Sequence, residues 1–228
     1  MGNIWENRNK KSFKSSVIKI IMTQDEIFIS GFENQKVDSF VRNFVKKYIH
    51  KKYKVLDLGC GTGRHSIFLS KKGHDVYALD KSKIAIEKLK QENLENIKLF
   101  NQKFSQGLFK KDLFDVVLSI MVLHHAPVRE IHKNFNAIKS ILNKGGYFIF
   151  SVISVEDHRF NTGYEIEKDT KINIDNTFDF EIPHHFFTKK EIQILLKDYD
   201  ILEMKQKSRI SAKGFDKFVH WDVIARLK

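Results

Sequence analysis

At 228 residues the chain is long enough for one sizeable core and short for two, and its 42% apolar and 30% charged residues fit an ordinary globular protein. Its 40 lysines and arginines against 28 acidic residues leave a formal net charge of +12, which draws anionic partners such as nucleic acid, membrane surfaces or acidic metabolites. One cysteine, Cys60, excludes an intramolecular disulfide and any cysteine-rich zinc site.

The lysines are spread along the chain instead of gathered in one arm, the pattern of a solvated surface. No run of aromatics alternates with basic residues as a stacking platform for nucleic acid requires. Nucleic acid is therefore a second reading. The longest apolar run, residues 116–123, contains Ser119 and is far too short to span a bilayer. Lys19 breaks the apolar stretch 17–22, so no secretory signal forms and the cytoplasm is the expected compartment. Two prolines, Pro127 and Pro183, do not make a Pro-rich linker. The expected layout is an N-terminal arm over residues 1–36 followed by one domain over 37–228. Oligomeric state stays open.

In chain order, Val37, Phe40, Val41, Phe44, Val45, Tyr48 and Ile49 recur at helical spacing and predict an amphipathic helix. Its last turn carries Lys46 and Lys47, which complement the helix dipole. Residues 54–58 (KVLDL) read as a buried strand running into a glycine cluster, and 64–72 as a helix stopped by Gly73. A second strand over 75–79 ends at Asp80, and Ser82 caps a helix reaching about residue 93. A short strand follows at 97–100, then a nearly all-apolar one at 115–120, as a central parallel strand covered on both faces should be. A helix over 128–142 closes at residues 143–146 (NKGG), before a fifth strand at 147–153. Residues 154–187 have weak periodicity and read as an irregular insertion or lid. Thr188 caps a helix ending near 197, and 199–207 and 218–226 read as two closing, antiparallel strands. Five strand–helix alternations predict a doubly wound α/β fold, a mainly parallel sheet with helices on both faces.

The most informative stretch is 55–63 (VLDLGCGTG), a buried strand feeding a turn with three glycines and then a helix. Glycine belongs there because the chain turns tightly and a ligand approaches the backbone without a Cβ in its way. The spacing is G-x-G-x-G, with Arg64 where a dinucleotide fingerprint needs its third glycine. Gly63-Arg64-His65 also lacks the Gly-Lys-Ser/Thr of a P-loop. Asp57, two residues before the first glycine, repels a pyrophosphate but suits a ligand with an ammonium group. Asp80 stands about 20 residues on, where one carboxylate accepts from both hydroxyls of a ribose. The ligand implied is a nucleoside with a cationic tail and no phosphates, a description that S-adenosylmethionine fits.

These residues, with Phe114-Asp115-Val116-Val117, Leu123-His124-His125, residues 142–148 (LNKGGYF), 183–192 (PHHFFTKKEI) and 221–227 (WDVIARL), make the chain resemble a class I S-adenosylmethionine-dependent methyltransferase of the small-molecule group. The resemblance spans about three quarters of the chain. It implies a seven-stranded, Rossmann-like sheet, S-adenosyl-L-methionine as cofactor and a small-molecule methyl acceptor. It further implies that Asp57, Gly59, Cys60, Gly61 and Gly63 hold the methionine and sugar portions. Asp80 is placed on the ribose, Lys81 beside the adenine, and Ser119 and Ile120 at the methionine end. Many relatives carry an Asp about twelve residues before the Phe-Asp pair; here that place falls at Lys103-Phe104, so the adenine is expected against the Phe104 backbone and apolar packing.

The sulfonium is already an activated donor, so alignment of the acceptor and exclusion of water are the chief demands. His124 and His125, just past the fourth strand, are the candidates for base or orienting group. His184 and His185 are candidates for closing the site from the other side, and Trp5, Phe13, Phe28 and Phe32 for covering an acceptor pocket. Two His-His pairs invite a metal, but neighbours on an extended segment point to opposite faces, and no H-x-x-x-H or cysteine partner is near. A tRNA methyltransferase and a non-catalytic cofactor-binding module are the competing readings. The first is motivated by charge but lacks the N/D-P-P-Y motif after the fourth strand; the second is opposed by the intact glycine loop and Asp80.

Overall fold

A computed structural model describes residues 36–174, 181–210 and 216–228. The expected N-terminal arm, with Trp5, Phe13, Phe28 and Phe32, lies outside the described residues apart from Lys36. Asp38 accepts from Phe40 N at 2.8 Å and so caps the first described helix, α1 (Ser39–Tyr48). The expected alternation then follows: β1 (Lys54–Leu58), α2 (Arg64–Lys71), β2 (Asp75–Asp80), α3 (Lys83–Gln91), β3 (Ile97–Asn101), β4 (Phe114–Ile120), α4 (Val128–Ile141) and β5 (Leu142–Ile153). After an insertion come α5 (Lys189–Leu195) and two long strands that the insertion's three short strands precede in number, β9 (Tyr199–Ile210) and β10 (Lys217–Leu227).

The main sheet has seven strands in the order β3-β2-β1-β4-β5-β10-β9. Its first five members run parallel, and β10 is antiparallel to both of its neighbours. The order reverses between β1 and β4, and in open α/β sheets a ligand crevice opens outside the strand carboxyl ends at such a switch. One face of the sheet packs Val55, Val116, Leu118, Ile120, Ile149 and Ile224 with Val41, Phe44 and Val45 of α1 and Leu69 of α2. The other packs Leu56, Val117, Phe148 and Phe150 with Ile131, Phe135 and Ile138 of α4 and Ile192 of α5. Burial on both faces explains why β4 and the end of β5 lack polar alternation.

Two elements differ from the sequence-based expectation. β5 begins at Leu142, directly after α4, because Leu142 pairs with Phe114 while Tyr147 pairs with Val116 and the residues between bulge out. Asp115 holds that bulge, accepting from Asn143 Nδ2 at 2.9 Å and from Lys54 N at 2.8 Å. Residues 154–187 contain a 3₁₀ turn (His158–Asn161) and a small antiparallel sheet of β6 (Tyr164–Glu167), β7 (Thr170–Ile172) and β8 (His184–His185). Strands of two to four residues are too short to show a period, hence the weak signal. The insertion grows out of the main sheet: Phe187 N donates to Ile153 O at 2.8 Å, and Trp221 Nε1 donates to Phe187 O at 3.1 Å. Glu167 Oε1 accepts from Val128 N at 2.7 Å, supplying to α4 the N-terminal acceptor that Pro127 lacks.

Candidate active site

The glycine loop is fixed by its own backbone to the end of β2. Gly59 N and Cys60 N both donate to Leu79 O, at 2.8 and 3.0 Å. Gly59, Gly61 and Gly63 have φ of 72°, 54° and 90°, all in the left-handed region that favours glycine. The three differ in what surrounds them. A Cβ at Gly59 would press on the Val122 methyls and one at Gly63 on buried Leu89 of α3, whereas one at Gly61 would meet nothing within 4 Å. Gly59 and Gly63 therefore serve packing, and Gly61 is the glycine at which the loop backbone is bare. Cys60 is buried, and burial pushes its thiol well above the usual range.

Asp80 bridges the loop and α3. Its Oδ2 accepts from Gly61 N at 2.8 Å and its Oδ1 from Ser82 N at 2.9 Å, leaving further lone pairs for hydroxyl donors. Asn101 Nδ2 donates to the carbonyls of Asp80 and Lys81, at 3.2 and 3.0 Å, and sets this turn from the end of β3. Asn101 carries no motif signal in the sequence, where it is simply the last residue of a short strand. Lys81 is exposed. Asp57 is buried and accepts from Ser66 Oγ at 2.6 Å. Burial pushes its carboxyl up to about 6, against the Ser66 hydrogen bond and the nearby Arg64 charge. A buried carboxylate so poised gains from a cation beside it. His65, next along α2, is held down to about 3 by burial and then by Arg64.

Phe104, where the sequence leads one to expect the adenine, is buried in the cluster that holds Leu58, Leu79 and Leu123, and Lys103 pairs with Glu130 at 2.9 Å. Ser119 is fully buried near the end of β4, and its Oγ finds no hydrogen-bond partner among the described residues. Ile120 follows it, also buried. Met121 has φ 59°, so the chain turns sharply at the carboxyl end of β4. A bare backbone at Gly61, two carboxylates and an orphaned hydroxyl fit a nucleoside with a cationic tail.

The structure brings both histidine pairs to one place. His185 N donates to His124 O at 2.8 Å, which seats β8 on the turn after β4. The His124 and His125 rings lie 4.0 Å apart and those of His125 and His184 4.6 Å apart. His185 is buried, its Nδ1 2.7 Å from Thr170 Oγ1 and its Nε2 2.8 Å from Glu191 Oε1, an arrangement that locks β8 between β7 and α5. His184 Nδ1 donates to Ile182 O at 2.8 Å. His124 is buried, and burial, then His125 and His184, holds its imidazole well below the usual range. Only His125 of the four is partly exposed. Among the described residues no three His, Cys, Asp or Glu side chains gather in a way that could hold a metal ion.

A family model described as a methyltransferase domain matches residues 31–201. TehB of Haemophilus influenzae, a probable S-adenosyl-L-methionine-dependent methyltransferase, is 31% identical over 143 residues, 56% of this chain and 49% of that protein. The chain spans about half the length of the first curated relatives it matches. A methyltransferase structure from Methanosarcina mazei superposes with a TM-score of 0.68 at 22% identity, over 85% of this chain and 99% of that one. The 1,6-didemethyltoxoflavin-N1-methyltransferase of Burkholderia thailandensis, solved with that compound and S-adenosylhomocysteine, gives 0.65 at 17% identity, over 100% and 92%. At such identities the structural likeness speaks for the fold. By its sheet order, its glycine loop and its match to the family, the chain belongs to the class I S-adenosylmethionine-dependent methyltransferases.

Proposed function

We propose that this protein transfers a methyl group from S-adenosylmethionine to a small-molecule acceptor. The observation that carries the acceptor reading is the seating of β8: it docks on the turn after β4 within hydrogen-bond distance, so the insertion roofs the sheet edge beside the glycine loop. A roof held that closely favours a compact acceptor. The toxoflavin relative, whose structure holds a small heterocycle, agrees with it. When bound, the cofactor supplies an electrophilic methyl on a sulfonium.

Asp80 accepts from the ribose hydroxyls; Asp57 balances the ammonium of the methionine portion; Gly61 offers its bare backbone; and Gly59, Cys60 and Gly63 hold the loop in shape around it. Ser119 Oγ donates toward the methionine end beside Ile120, and Phe104 and Lys81 flank the adenine. His125 orients the acceptor or takes its proton, while neutral, buried His124 braces the turn. His184 and His185 close the site. A cytoplasmic setting belongs to the same proposal; among the described residues no helix is long and apolar enough to cross a membrane.

The test is tritiated-methyl transfer from the cofactor to a metabolite panel, with Asp80→Ala as the control. Removing two charge-assisted hydrogen bonds costs about 3 kcal/mol, so S-adenosylhomocysteine affinity should fall roughly hundredfold by calorimetry. Unchanged affinity in Asp80→Ala would sink the ribose assignment. The net charge of +12 favours RNA as a second acceptor reading. Transfer to RNA alone, with binding that falls steeply as salt rises, would replace the small-molecule reading.

A further inference from the structure

Three carboxylates buried among the described residues have different surroundings. Asp157 is 1% exposed and fully satisfied: it accepts from Arg159 N, Nε and Nη2 and from Val219 N. Asp57 has a serine hydroxyl as its side-chain donor. Asp222, on β10, resembles Asp57. It is 6% exposed; its Oδ1 accepts from Ser151 Oγ at 2.7 Å and lies 3.4 Å from His220 Nε2. Its Oδ2 receives no hydrogen bond among the described residues. Lys205 stands directly across from Asp222 on β9, yet its ammonium turns away to Glu203 at 2.8 Å. That oxygen is not sealed among the buried, unsatisfied side-chain atoms, so a largely buried carboxylate with one strong donor keeps an open oxygen on which a ligand's donor can settle.

Its position says which ligand. Ile120, Ser151 and Asp222 are directly paired across β4, β5 and β10 and so share one face of the sheet. Asp57 is paired with Leu118, two residues before Ile120, and faces the same way. Adjacent strands lie about 4.8 Å apart, so Asp222 stands about 10 Å from Ile120 across the sheet and Asp57 on its other side. About 10 Å accommodates one small ring system with its contacts. The apolar rung below, Leu118, Ile149 and Ile224, packs with α1, and the chemistry turns polar one rung higher, at Ser151 and Asp222.

Resting on the methyltransferase reading above, we infer that Asp222, supported by Ser151 and flanked by His220, is the acceptor-side anchor. It takes an ammonium or N–H donor of a small nitrogenous acceptor on Oδ2. The acceptor then lies across Ser151, its far end toward Ile120. Asp57 and Asp222 thereby hold the cationic groups of two different molecules on one sheet face.

The experiment uses the full chain saturated with S-adenosylhomocysteine and three near-isosteric probes: benzylamine, benzyl alcohol and benzoate, followed by ligand-observed NMR at millimolar concentration. Benzylamine should bind at least tenfold more tightly than benzoate, and Asp222→Asn should erase that preference. Ser151→Ala retains the carboxylate and removes its donor, so it should keep or strengthen benzylamine binding. Calorimetry with S-adenosylhomocysteine on each variant shows that the cofactor half is intact. Benzylamine binding that is absent, matched by benzoate, or indifferent to Asp222→Asn overturns the anchor while leaving the methyltransferase reading untouched. Absence of S-adenosylhomocysteine binding in the unaltered chain overturns the reading beneath it.

Discussion

The glycine loop after β1 and the insertion after β5 meet at the same edge of one sheet, and they are built by opposite means. The loop is local: residues 59–63 form the turn, and apart from its ties to the end of β2 its shape follows from three left-handed glycines. The insertion is held by distant partners. Glu167 reaches Val128, 39 positions away; His185 reaches the carbonyl of His124; and Trp221 reaches Phe187. Backbone demands write themselves into residue choice, because a position with φ near 90° is costly for anything but glycine. Long-range contacts leave no such mark, since many side chains could have made them.

The three glycines of the loop should respond unequally to substitution. Gly63→Ala places a methyl against Leu89 at a φ of 90°, and should destabilise the fold by about 3–4 kcal/mol in urea unfolding. Gly61→Ala meets no neighbour and should cost only about 1 kcal/mol while weakening S-adenosylhomocysteine markedly more than Gly63→Ala does per unit of lost stability. Equal losses of stability in the two variants would show that the loop does not divide into packing and ligand-facing glycines.

A slightly smaller effect separates Asp57 from its surroundings. Its carboxyl rises from an ordinary 3.8 to about 6 in the folded chain, so the native state holds the proton more tightly than the unfolded state does. Unfolding free energy therefore falls as pH rises through that window, by up to about 3 kcal/mol from this group. Asp57→Asn removes the contribution: relative to the unaltered protein it should gain stability between pH 4 and pH 7 while losing cofactor affinity. A stability difference constant across that range would mean that Asp57 is not raised.

The smallest effect tests the insertion. Glu167→Gln keeps an acceptor near Val128 N but removes the negative charge at the start of α4, and should cost about 1 kcal/mol. Its signature is regional: faster amide exchange in β6 and β7, with exchange in the glycine loop unchanged. Uniform acceleration across the sheet would show that the insertion and the loop are one cooperative unit.

Much of the molecule was legible from its residues. The strand–helix alternation, the capping residues Ser82 and Thr188 and the antiparallel closing strands all follow from local periodicity, caps and turn chemistry. Asp115, legible as part of a Phe-Asp pair, turns out to staple the starts of β1 and β5 through Lys54 N and Asn143. The β5 bulge was not legible, because a glycine pair reads as a turn whether or not the strand continues beyond it. Nor was the satisfaction of the buried carboxylates, where Asp157 and Asp222 are the same residue type with opposite surroundings.

By itself, then, the sequence determined the period, the stops and the bare-backbone turn, each a property of a few consecutive residues and their torsions. Tertiary structure alone decided that four histidines from two distant pairs share one seam, that a glutamate caps a helix 39 positions away, and that one aspartate of β10 has no lysine or arginine partner among the described residues. Those outcomes depend on which strands lie side by side, and strand order is set by the packing of the whole sheet rather than by any segment of it.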